Sequence, residues 1–142
     1  MGNFKEWLIK ETSYVKPEYK RFYIITALAY IFSLGHVLFI PLFWIMGVSF
    51  MAWFNALFSV PVFLISFFLN RRGYHSLAFA LAFIELMAHQ VFTVYFTGWE
   101  TGFQYYLLFA AGVSFFNHLW TTKFRLVLTT IVIFAFVISY IF

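Results

Sequence analysis

Five apolar runs occupy most of the chain, at about residues 22–46, 50–69, 76–96, 103–119 and 126–142, and the turns between them are too short to hold a domain. About 20 mainly apolar residues in a helix cross the hydrocarbon core of a bilayer. A helix also satisfies its own backbone where no water is present. The expected fold is therefore all-α: a polytopic transmembrane helix bundle of five spans. The fifth run is still apolar at Phe142, which leaves open a set of six spans of which these are the first five. Composition agrees. Of 142 residues, 64% are hydrophobic and 10% charged, against about 45–50% and about 25% in a soluble domain. With no Cys, the chain has no disulfide, thiolate metal site or cysteine nucleophile.

Two regions are expected, a cytoplasmic amphipathic segment at 1–21 and the bundle at 22–142. The first holds five of the nine Lys and Arg: Lys5, Lys10, Lys16, Lys20 and Arg21. Phe4, Trp7, Leu8, Glu11 and Val15 recur at helical spacing, as in a short interfacial helix that ends near Pro17. A disordered basic tail is the alternative. The N-terminus mixes Lys5, Glu6, Lys10 and Glu11 and has no signal-peptide core. The remaining basic residues are Arg71 and Arg72 after the second run and Lys123 and Arg125 after the fourth. All nine then share one side with the N-terminus. The positive-inside rule makes that side the cytoplasm, and the expected location a cytoplasmic membrane, crossed several times.

Polar residues inside the runs are the candidates for function. Glu85 and His89 lie in the third run, four residues apart, on one helix face where they can hydrogen-bond. Ionisable groups at such depth usually face the bundle interior and mark function. His36 in the first run, Asn55 in the second and Gln104 opening the fourth fall at comparable depth in the outer half. They are expected to converge with Glu85 and His89 on a polar pocket, with Tyr105 or Tyr106 at its mouth. These groups would bind a small ligand, a lipid or a proton. The bland alternative is that they are interhelical glue, worth about 0.6–2 kcal/mol each; for Asn55 alone that is the better reading.

A second reading uses all four His. His75 and His89 are 14 residues apart, about 21 Å along a helix and nearly on one face. His36 paired with His89, and His118 paired with His75, would ligate two b-type haems stacked across the membrane. Ala78 and Ala82 would leave room for them, although they also make an ordinary small-residue packing face. Glu85 between the two sites argues against this.

The run Glu85-x-x-x-His89-Gln90, followed by Gly98-Trp99-Glu100-x-Gly102-Phe103-Gln104-Tyr105-Tyr106-Leu107-Leu108, resembles the N-terminal multi-span membrane module of bacterial nucleotide cyclases. These are membrane-bound diguanylate cyclases of the GGDEF type and class III adenylate cyclases. The resemblance implies a sensory or anchoring role, an output domain beyond the last span, and a homodimer, because such outputs work in pairs. The four-histidine dihaem anchor of redox-regulated cyclases, with quinone as electron partner, is the related alternative. No cyclase signature or other catalytic motif is present, so the chain itself is assigned no reaction. Expected partners are the bilayer, an unidentified small ligand and a second copy; no nucleic acid and no resident cofactor are expected on the first reading.

Overall fold

Each apolar run folds as helix. A computed structural model describes residues 15–141, and among them there is no strand. The segment expected as an interfacial helix at 1–21 falls mostly outside the described residues. Of it, Pro17–Tyr19 is a 3-10 turn and Lys20 already opens the first helix.

The first run is α1, Lys20–Ser33, and α2, His36–Ile45, joined almost without interruption. The joint is at Leu34 and Gly35, where the spacing tightens. The Gly35 N–H donates to the Phe32 carbonyl at 2.9 Å, and the Leu38 N–H to the Gly35 carbonyl at 2.8 Å. A Cβ at Gly35 would stand 3.0 Å from the Phe32 carbonyl oxygen, so the joint suits glycine. The helix continues through Pro41.

The second run is α3, Ser49–Phe54, a single π turn at Asn55–Ser59, and α4, Val60–Arg71. The π turn sits directly before Pro61. That proline has no N–H for the turn behind it, and the wider turn lets the Val60 N–H reach the Asn55 carbonyl. The third run is one uninterrupted helix, α5, His75–Thr97. Gly98, at φ 86°, ends it in a conformation that an L side chain rarely adopts. A 3-10 turn at Trp99–Thr101 follows.

The fourth run departs most from expectation. Its helix α6, Tyr105–Phe116, has 12 residues, where the sequence suggested a span over about 103–119. The turn around Gly98 and Gly102 delays its start. Asn117 then leaves the helical region at ψ 89° and accepts the Leu119 N–H at 3.0 Å, which ends it. The last helix, α7, Thr122–Ser139, is capped by Thr121, whose hydroxyl accepts the Phe124 N–H. Among the described residues four stretches are long and apolar enough to cross a membrane: Pro17–Ile45, Ser49–Arg71, His75–Thr97 and Thr122–Ser139; α6 is shorter.

Successive stretches run antiparallel, and α5 is the central staff. It packs on α4 along their length, on α1, and on α6 and α7. One end of the bundle gathers the start of α1, the α4–α5 turn and the α6–α7 turn. There Tyr19 and Phe22 pack on His75 and His118, and the Trp120 indole donates to Ser76 at 2.8 Å. At the other end Phe43 meets Phe103, and Trp99 meets Phe136 and Tyr140. The basic residues at 16–21, 71–72 and 123–125 therefore share one end.

Candidate functional site

The α4–α5 seam carries a ladder of polar side chains. Asn55 and Ser59 bracket the π turn and are both fully buried. Opposite them on the antiparallel α5 are His89 and Glu85, also fully buried. Asn55 pairs with His89: its Oδ1 lies 3.2 Å from the imidazole Nε2, while its Nδ2 donates to the Met51 carbonyl at 2.7 Å. Because that amide nitrogen is committed, Oδ1 is the acceptor and His89 Nε2 carries the proton. His89 Nδ1 is then the accepting nitrogen, with the Gln90 amide and the Thr93 hydroxyl each 3.4 Å away.

Glu85 stands one turn from His89, opposite Ser59. The Ser59 hydroxyl interacts with the carboxyl but lies outside hydrogen-bonding geometry. Neither carboxyl oxygen makes a hydrogen bond among the described residues. The expected Glu85–His89 bond is thus not formed. Asn55, from the neighbouring stretch, takes the imidazole Nε2, and Gln90 and Thr93 lie nearest its Nδ1.

His36 joins the cluster from α2. Its ring meets that of His89 edge to face, centroids 4.8 Å apart, and its Nδ1 lies 2.6 Å from the Ser33 carbonyl. Phe39, Phe43 and Phe54 wall His89 in, and Phe63 lies against His36. The structure therefore brings together His36, Asn55 and His89, with Glu85 adjoining. Gln104 is buried on the turn before α6, but no hydrogen bond joins it to the cluster, and its Oε1 has no partner. Tyr105 is 63% exposed, and Tyr106 is also exposed; neither closes a pocket over the cluster.

A second polar node was not anticipated. Asn70, at the end of α4, donates to the Tyr23 carbonyl at 3.1 Å and the Thr26 hydroxyl at 3.0 Å. Its Oδ1 lies 2.7 Å from His75 Nδ1. Three helical stretches are tied by one fully buried amide. Asn70 directly precedes the basic pair Arg71 and Arg72 in the sequence.

The four His do not fit paired haem ligation as placed. Two imidazoles on one haem iron stand on opposite faces of the macrocycle. Here His36 and His89 are in direct ring contact, and Asn55 holds His89 Nε2. At the other end Phe22 packs on both His75 and His118, and Asn70 holds His75 Nδ1. Among the described residues no three His, Asp or Glu side chains converge as a metal site.

Comparison of the chain with protein-family models, with curated proteins and with solved structures finds no match in any of the three.

Proposed function

We propose that the chain is a helical membrane module that senses a small ligand, a lipid or a proton through the Glu85–His89–Asn55–His36 cluster. Its output is cytoplasmic and of the nucleotide-cyclase type that the spans 3 and 4 resemblance implies. It sits in a bacterial inner membrane with its basic end in the cytoplasm, and works as a homodimer.

Membrane insertion is supported by how side chains are distributed. Phe32, Leu38, Ile45 and Leu57 are 71–89% exposed, whereas Glu85, Asn55 and Asn70 are fully buried. An apolar exterior around a polar interior suits lipid as the solvent. Clustering of the basic residues at one end supports the orientation.

The observation that carries the sensing role is Glu85, sealed from solvent without a hydrogen bond. A buried polar group without a partner costs free energy that interhelical glue would recover. Its neighbours are a π turn, a feature frequent at functional sites, and a histidine pair. A group in that state responds to anything that supplies a proton or a partner. A ligand shifts such a bundle only by its difference in affinity between two states.

The test is thermal stability of the purified protein across candidate ligands and pH, wild type against Glu85→Gln. A response in wild type that the variant lacks supports the reading; identical behaviour of the two under every condition counts against it.

A further inference from the structure

Two openings in the packing lie along one seam, between α1, α5 and α6. The deeper one is an apolar groove of about 490 Å³, walled by Ile25 and Ala29 of α1, Ala82 and Leu86 of α5, and Phe109 and Gly112 of α6. No Lys, Arg, Asp or Glu lines it, although His36 and the hydroxyl groups of Thr26, Tyr30 and Ser33 border it. A Cβ built on Gly112 would meet nothing within 4 Å, so the groove is open on that side. The second opening, about 780 Å³, is at the basic end and is bordered by Lys16, Tyr19, His75, Ser76 and His118. The two are neighbours. Phe116 lines the groove, and His118, two residues on, lines the basic pocket. Phe22 stands at their junction, packed on His118 at 5.1 Å and on Phe79 at 5.9 Å.

Charge and shape together select the occupant. Among the described residues the basic end carries Lys16, Lys20, Arg21, Arg71, Arg72, Lys123 and Arg125 against the single acid Glu18. A head group there is anionic, and what continues past Phe22 is hydrocarbon. A free anion fills the pocket and leaves the groove empty; an apolar helix covers the groove and brings no negative charge to the basic end. An anionic phospholipid satisfies both. Basic pockets between helices on the cytoplasmic side of a membrane are suited to such head groups.

We propose that this seam binds one anionic phospholipid, its phosphate against Lys16, His118 and the Ser76 hydroxyl, and one acyl chain in the groove beside Gly112. The proposal rests on the membrane insertion argued above but not on sensing by Glu85, which does not line either opening, although His36 of the cluster borders the groove. The site is accessible sideways from the bilayer, so the lipid needs no passage through the bundle.

The experiment is native mass spectrometry and thermal unfolding of the detergent-purified full chain. Phosphatidylglycerol, phosphatidylcholine of the same chains, and inorganic phosphate are added separately. Phosphatidylglycerol is expected to stay bound and to raise the unfolding midpoint; the other two are not. Lys16→Ala should weaken phosphatidylglycerol about fivefold, as expected for one cation near an anionic head group. Gly112→Phe fills the groove and should abolish retention; Ala82→Leu narrows it from α5 and gives the same reading if the first variant fails to fold. Glu85→Gln should leave lipid binding unchanged, because the carboxyl lines neither opening. Equal retention of phosphatidylcholine, an equal midpoint shift with inorganic phosphate, or full binding by both groove-filling variants would each overturn the proposal.

Discussion

The His36 and His89 rings meet edge to face at 4.8 Å and 85°, with Asn55 fixing the far side of His89. Three helical stretches therefore read one another through a single imidazole. Loss of the Asn55 amide leaves a buried N–H without an acceptor. Asn55→Leu should lower stability by about 0.6–2 kcal/mol, the range for hydrogen bonds between membrane helices. Unfolding in mixed detergent checks it; an unchanged midpoint would mean that the pair adds nothing.

Glu85 has the opposite signature. Because its carboxyl has no hydrogen bond to lose, Glu85→Leu should raise the unfolding midpoint while abolishing the ligand or pH response. Stability gained where function is lost is the pattern of a strained site. A destabilised variant with an intact response would identify the carboxyl as structural.

Asn70 should be the costlier amide to remove, since it bonds to Tyr23, Thr26 and His75 together. Asn70→Leu is expected to cost about 1–3 kcal/mol, the penalty for stranding buried partners. A double-mutant cycle with Thr26→Val should show coupling of at least about 0.5 kcal/mol. Additive effects would show that the Thr26 bond is idle.

Pro61 and the π turn form one device. Pro61→Ala restores an N–H, so an ordinary α turn becomes available behind it. Removing the extra residue from the turn would rotate Asn55 by about 100° away from α5, at 3.6 residues per turn. Hydrogen exchange at residues 55–60 should slow, with overall stability held and the ligand response reduced. Unchanged exchange would show that the proline does not set the turn.

The helical class was legible because hydrophobic run length alone decides it, and the ends of the second and third runs were read within about two residues of Ser49–Arg71 and His75–Thr97. The meeting of His36, Asn55 and His89 was legible too, because antiparallel neighbours bring equal depths together. What sequence hid were choices between equal partners. Nothing in the spacing of Glu85 and His89 says that Asn55 will take the imidazole first. Nor does spacing reveal that the π turn turns Ser59 toward the acid, or that Asn70 folds inward while Arg72 beside it does not. The length of α6 was misjudged because apolar residues continue past both of its ends, although Gly102 and Asn117 break the helix there.

That brevity has a mechanical outcome in lipid. Twelve residues of α6 rise about 18 Å, against a hydrocarbon thickness of about 30 Å. In the proposed membrane its longer neighbours would reach farther than α6, and the two leaflets would dimple toward each other on the α6 flank alone. Such lopsided thinning would favour thin membranes and give the molecule one flank where lipid is already disturbed.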